Sequence, residues 1–194
     1  MKLVFATGNK NKAAEIAALL PPGFELLSLA DLDFFEEIEE TGDTLHENAR
    51  IKANTIYQKF NLPVFADDTG LMVDALNGKP GVYSARYAGA NATYKDNCDL
   101  LLSELKDKNN RNAYFQTVIC FISQHGSAQY FEGTIHGIIT QEPKGDKGFG
   151  YDPVFKPENS ESTFAEMSSE EKNTISHRAL AFQSFLAFLN NKGV

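Results

Sequence analysis

Two adjacent carboxylates, Asp67 and Asp68, follow the apolar run Val64-Phe65-Ala66 and lead straight into Thr69-Gly70-Leu71. The run has the composition of a buried strand, and the Thr-Gly step predicts a turn. Neighbouring side chains on an extended chain point to opposite faces, so one Asp is expected to face a cleft while the other braces the loop. Carboxylates at a strand end need something cationic against them, often a metal ion. A solvated turn is the competing reading of these four residues taken alone.

Thr7-Gly8-Asn9-Lys10-Asn11-Lys12 joins an apolar strand to an amphipathic helix. Unpaired backbone N–H groups at such a junction, with Lys10 and Lys12 beside them, suit a phosphate. A plain strand-to-helix turn with Asn9 as N-cap is the alternative. The Gly-Lys-Ser/Thr ending of a Walker loop is absent. Glu39-Glu40-Thr41-Gly42 resembles a fragment of the Nudix box, but Phe35, Glu36 and Glu37 stand where that box needs Arg, Glu and an aliphatic residue, so the Nudix reading fails. What remains is an acidic run, one carboxylate of which can join Asp68 around a hard cation.

Glu47 is the third helical residue of a capping box begun by Thr44, and Lys52 does not share its helix face. Arg86, in Tyr83-Ser84-Ala85-Arg86-Tyr87, is either an anion binder or a brace. Gly148-Phe149-Gly150-Tyr151-Asp152-Pro153 sets an aromatic between two glycines, as a base-stacking residue or as a plug under a loop. Ser168-Ser169-Glu170-Glu171-Lys172-Asn173-Thr174-Ile175-Ser176-His177-Arg178 gathers donors at helix starts, and His177 with Arg178 can read the edge of a planar base. Ser168 and Glu171 form a further capping box, which makes Glu171 structural.

The elements that must hold these residues follow from periodicity. Strands are expected over 3–6, 24–29, 64–66 and 71–73. Helices are expected from about 10 to the Pro21-Pro22-Gly23 stop, from Thr44 to about Phe60, from Thr93 past Leu105, and from about 176 to 190. Ala113–Ser123 and Gln129–Thr140 read as an antiparallel hairpin turning near His125-Gly126, and 77–81 as a loop. Early alternation of strand and helix with a later hairpin favours a mixed α/β sheet in one domain, 1–194.

Composition narrows the partners. The chain has 194 residues, 42% hydrophobic and 23% charged, which is ordinary for a soluble globular protein, while Phe is abundant at 15 and Trp is absent. A net charge of −8 argues against a nucleic-acid polymer but leaves room for a small phosphorylated ligand in a local basic pocket. The two cysteines, Cys98 and Cys120, have neither metal-ligand spacing nor disulfide density and read as buried apolar residues. No signal-peptide core and no apolar run near ~20 residues is present, so a cytoplasmic protein without membrane partner is expected.

Taken together, the Thr7–Lys12, Glu39–Gly42, Glu47–Ala49, Ala66–Leu71, Pro80–Tyr87, Gly148–Pro153 and Glu170–Arg178 segments resemble, in order and spacing, the Ham1 family of non-canonical purine nucleoside triphosphate pyrophosphatases. Thr69 stands where many members carry Ser, which preserves the hydroxyl. The resemblance implies a two-lobed α/β fold, a long twisted mixed sheet flanked by helices with a cleft between lobes, and a homodimer. It implies Mg²⁺-dependent cleavage of ITP, dITP and XTP to the monophosphate and pyrophosphate. Carried residue by residue, it makes Asp68 catalytic and, with Glu39, metal-binding. Substrate contacts would come from Thr7, Gly8, Asn9, Lys10, Asn11, Lys12, Thr69, Phe149, Gly150, Tyr151, Asp152, Lys172, His177 and Arg178. The roles of Glu40, Glu47, Lys52, Asp67 and Arg86 stay open. A non-hydrolytic nucleotide-binding regulator and a Maf-type pyrophosphatase are the competing functions.

Overall fold

A computed structural model describes residues 2–192. Its elements, in chain order, are β1 (Lys2–Phe5), α1 (Lys10–Leu19), β2 (Glu25–Leu27), α2 (Leu45–Phe60), β3 (Val64–Val73), β4 (Pro80–Gly81), α3 (Tyr94–Glu104), β5 (Asn112–Ile122), β6 (Ala128–Ile139), β7 (Phe155–Pro157), α4 (Ser169–Ile175) and α5 (His177–Lys192). The strands hydrogen-bond in the order β2-β1-β3-β5-β6-β7, with β4 on β3. β1 runs parallel to β2 and β3, with Val4 opposite Val64 and Phe5 opposite Phe65. β4 is antiparallel to β3, and β7 to β6. The five-residue link between β5 and β6 allows only antiparallel pairing. Ser123 N–H donates to Ser127 O at 3.1 Å at the turn. The sheet is therefore mixed, as the order of elements predicts.

The chain divides into two compact units. The first comprises Met1–Asp68, Thr117–Gly133 and Arg178–Val194, and the second Thr69–Gln116 and Thr134–His177. The first is built on phenylalanine. Phe5 stacks on Phe65 at 4.5 Å, and Phe65, Phe121 and Phe131 each meet Phe185 at 5.1–5.3 Å. Each such buried side chain contributes on the order of 1.5–3 kcal/mol. Ile16 is the one fully buried residue of α1 and joins this core. In the second unit Phe115, Phe155 and Phe164 form the centre, with the His177 ring stacked on Phe115 at 4.5 Å. Cys98 and Cys120 are buried free thiols, as expected. Burial pushes their pKa up, to about 12 and about 11, which makes both poor nucleophiles.

Several elements differ from the sequence reading: β4 forms within the 77–81 stretch read as a loop, and β7 and α4 are not among the expected elements. The expected turn at Thr69-Gly70 does not form, and β3 runs unbroken through Asp67, Asp68, Thr69 and Gly70. Parallel and antiparallel neighbours supply the ladder on both halves, and β-branched Thr69 favours it. β2 is shorter than 24–29 because Ser28 N–H and Oγ both bond Asp31 Oδ2, at 2.8 and 2.7 Å, which bends the chain out of the strand. The last helix begins at His177, since Ser176 is extended (φ −67°, ψ 151°) and ends α4.

Candidate active site

The two carboxylates of β3 point to opposite faces, as strand geometry requires, and each meets a different helix. Asp67 is 1% exposed. Its Oδ2 lies 3.0 Å from Lys12 Nζ on α1 and 3.3 Å from Arg178 Nε at the start of α5. Arg178 also pairs with Glu15, one turn along α1 from Lys12. Burial alone would raise the Asp67 pKa, but Lys12, Arg178 and Lys52 outweigh it and hold the carboxyl well below the usual range. Burial pushes Lys12 down despite the attraction of Asp67, whereas Asp67 and Glu15 overcome burial at Arg178 and raise it. Asp67 is thus a fixed anion that holds two cations in place.

Asp68 faces α2. Its Oδ1 receives Lys52 Nζ at 3.3 Å and its Oδ2 receives Asn48 Nδ2 at 3.3 Å. Burial raises the Asp68 pKa and the cations Lys52 and Lys12 oppose it. Glu40 and Asp67 add repulsion, and the net shift is upward. The neighbouring carboxylates therefore have opposite tuning, one locked as an anion and one made more basic. Lys52 also binds Glu40 Oε1 at 2.6 Å, and these carboxylates keep its pKa raised against its burial.

α2 is aimed by its own N-terminus. Thr44 and Glu47 form the capping box expected from sequence, and Glu47 Oε2 accepts the amides of Asp43 and Thr44. Asn48 Oδ1 accepts the Gly42 amide at 2.8 Å, which ties the acidic segment to the helix. A Cβ on Gly42 would lie 2.5 Å from Glu47 Cβ, so only glycine fits there. Glu40 thereby reaches Lys52, while Glu39 is exposed.

The Thr7–Lys12 segment is a built helix start rather than a row of free donors. Asn9 Oδ1 accepts the amides of Asn11 (3.0 Å) and Lys12 (3.3 Å), Thr7 Oγ1 accepts that of Asn9 (3.2 Å), and Thr7 N–H donates to Phe5 O (2.9 Å). The expectation that these amides are unpaired is therefore corrected for four of them: the Asn9 cap takes two, and Thr7 Oγ1 and Phe5 O take one each. Gly8 and Lys10 are exposed.

In the second unit the Gly148–Asp152 turn is equally determined. Gly148 (φ +73°) and Gly150 (φ +64°) adopt left-handed backbone, and a Cβ on Gly148 would lie 2.0 Å from Asp152 Oδ2. That oxygen accepts the Phe149 amide at 2.8 Å and Lys172 Nζ at 2.6 Å. Lys172 Nζ sits 5.0 Å from the Phe149 ring centre and 5.5 Å from that of Phe164. Phe149 is half-buried beside Tyr94, and Thr69 is half-buried in β3. Tyr151 is buried with its hydroxyl on Ser84 O at 2.9 Å. The structure thus brings Phe149, Gly150, Asp152 and Lys172 together, and separately Lys12, Asp67 and Arg178. His177 belongs to the second group of aromatics, and Arg178, its chain neighbour, to the carboxylate cluster of the first unit.

Sequence reasoning missed Asn48 as the Asp68 partner and Glu15 as the Arg178 partner. A signal existed for the first: Asn48 and Lys52 lie four apart on the α2 face that also buries Ala49, Ala53 and Ile56. Nothing local could match Glu15 to a residue 163 positions away.

Among the described residues no three His, Cys, Asp or Glu side chains converge as a preformed metal cage. Asp68, whose pKa is raised chiefly by burial with smaller repulsion from Glu40 and Asp67, carries oxygen donors only and fits a hard ion that takes one or two carboxylates and completes its shell with water and phosphate.

The fold and these clusters define a mixed α/β protein with a charged carboxylate–ammonium centre suited to a polyphosphate. The Ham1 family model matches residues 3–188. A Flavobacterium johnsoniae protein named dITP/XTP pyrophosphatase is 52% identical over 97% of this chain and 98% of its own. One of the same name from Porphyromonas gingivalis is 48% identical over 97% of each. The Staphylococcus aureus Ham1 protein structure superposes with a TM-score of 0.91 at 38% identity, covering 99% of this chain and 100% of that one. A HAM1 protein structure from Coxiella burnetii gives the same TM-score and identity over 98% and 99%. The chain belongs to the Ham1 family.

Proposed function

We propose that this chain is a nucleoside-triphosphate pyrophosphatase that hydrolyses ITP, dITP and XTP with Mg²⁺ to the monophosphate and pyrophosphate, removing non-canonical purines from the nucleotide pool. The observation that carries the reading is that adjacent Asp67 and Asp68 on one strand face opposite ways, Asp67 against Lys12 and Arg178 and Asp68 against Lys52 and Asn48. The names of relatives about 50% identical over full length support the reaction class.

In this reading Asp68 accepts the proton of the attacking water, a role that a raised carboxylate pKa favours. Lys12, steadied by Asp67, and the exposed start of α1 meet phosphate oxygens. Asp68 and Glu39 would hold Mg²⁺. Glu40 is already neutralised by Lys52, so Glu39 is the carboxylate of that pair left for the ion. Mg²⁺, when bound, would supply charge neutralisation of the phosphates. Phe149 stacks on the purine, with Gly150, Asp152, Lys172 and His177 around the base. Arg178 is the proposed donor to the 6-oxo group shared by hypoxanthine and xanthine. Family resemblance also favours a cytoplasmic homodimer, which light scattering after size exclusion checks. Among the described residues no helix is long and apolar enough to cross a membrane.

Pyrophosphate release from ITP, dITP, XTP, GTP and ATP, with Mg²⁺ and with EDTA, tests the proposal. Rapid Mg²⁺-dependent release from the first three is expected. Tight binding without release would point to a regulator, and preference for other nucleotides to a Maf-type enzyme.

A further inference from the structure

Tyr151 stands in the segment expected to touch substrate, yet it is 4% exposed. Its hydroxyl donates to Ser84 O at 2.9 Å, on a turn 67 residues away in sequence. Other buried groups grip the same turn. Ser84 Oγ accepts the Leu71 amide at 2.9 Å and donates to Gly81 O at 2.6 Å. Asn97, 2% exposed, donates from Nδ2 to Ala85 O at 3.1 Å and accepts the Ala88 amide on Oδ1 at 2.8 Å. The next residue on α3, Cys98, donates from Sγ to Gly150 O at 3.4 Å. Residues 84, 85 and 88 are thus held from outside the turn, while Tyr83 stays 54% exposed and carries the Arg86 guanidinium 5.3 Å from its ring.

Resting on the reading that Phe149 and Asp152 receive the purine, we propose that Tyr151, with Asn97 and Cys98, is a positioning residue rather than a substrate contact. It ties the Gly148–Asp152 turn to the Ser84–Ala88 turn, so that the aromatic and its neighbours are preset before the base arrives. Gly148 and Gly150 both adopt left-handed backbone, and glycine turns lose much conformational freedom on ordering. Tethers at Gly150 and Tyr151 supply that order in advance, which lowers the ordering cost of binding.

Tyr151→Phe removes only the hydroxyl and keeps the ring that fills the core. Hydrogen exchange followed by mass spectrometry should show several-fold faster exchange in peptides covering 81–89, far from the substitution in sequence. The KM for ITP should rise about three- to tenfold with kcat within about twofold, and the ITP-over-ATP ratio of kcat/KM should narrow. Cys98→Ala should do the same more weakly, and the double variant should show less than the sum, because both act on one turn. Unchanged exchange in 81–89, or a KM effect without it, would overturn the strut and return Tyr151 to the substrate contacts. If the wild type fails to cleave ITP yet exchange in 81–89 rises in the variant, the strut stands and the proposed reaction falls.

Discussion

The two units hold buried charge in different ways. In the first, four carboxylates (Glu15, Glu40, Asp67 and Asp68) and three cations (Lys12, Lys52 and Arg178) form one cluster. In the second, one pair, Asp152 with Lys172, sits among Phe149, Phe164 and the His177 stack. A network tunes its members apart: Asp67 is driven down and Asp68 up although they are adjacent. A single pair against aromatic faces instead fixes geometry, presenting a ring and a few donors to a flat, weakly charged group. Under the proposed function the first arrangement would serve the polyphosphate and its counter-ion, and the second the purine.

The largest way to break this contrast is Asp67→Asn, which leaves Lys12 and Arg178 without their shared anion. Removing one partner of a buried pair costs about 3–5 kcal/mol, or roughly a 10 °C drop in Tm for a chain of this size. The sign with pH follows from the depressed pKa of Asp67. Its stabilisation is complete above the unfolded value near 3.9 and is lost only as pH falls through the lower folded value. The gap in Tm between wild type and variant should therefore stay constant from pH 8 to about 4 and close below it. A gap that closes already near pH 6 would refute the network.

Asp68→Asn should reverse the balance of effects, with kcat falling ~10² or more while folding survives, since the carboxylate is the more basic and less neutralised of the two. Near-wild-type turnover would remove it from the chemistry.

Phe149→Ala is expected to weaken all purine triphosphates by about 1–3 kcal/mol with little change in base preference. Arg178→Ala sharpens the comparison, because its guanidinium is held on the first unit's carboxylates. A narrowed ITP-over-ATP ratio keeps it as a base reader, whereas equal loss for both nucleotides makes it part of the phosphate cluster.

The smallest effects should come from Lys10 and Lys12 compared. Lys12→Ala should raise KM for triphosphate more than Lys10→Ala, because Lys12 is half-buried on Asp67 and Lys10 is solvated. Equal mild effects would make both ordinary surface lysines.

Much of this was legible in the sequence because its physics is local. The Thr44–Glu47 and Ser168–Glu171 boxes form as read, since capping joins residues three apart. The Asn9 cap likewise forms in place, and the hairpin falls within one residue of its expected strands. The opposite facing of Asp67 and Asp68 follows from strand alternation alone.

Tertiary structure decided what each charge meets. Thr69-Gly70 reads as a turn in isolation, but neighbouring strands extend it, and Lys12, Lys52 and Arg178 make two carboxylates tolerable inside a strand. That Lys52 holds Glu40, that Asn48 reaches Asp68, and that Arg178 and His177 part ways at a helix start all depend on segments far apart in the chain. That the Tyr151 hydroxyl meets Ser84 O, 67 residues away, has the same origin. Side-chain type sets what a residue is able to bind, and only the packed fold sets the distance, burial and competing partners that choose among those options.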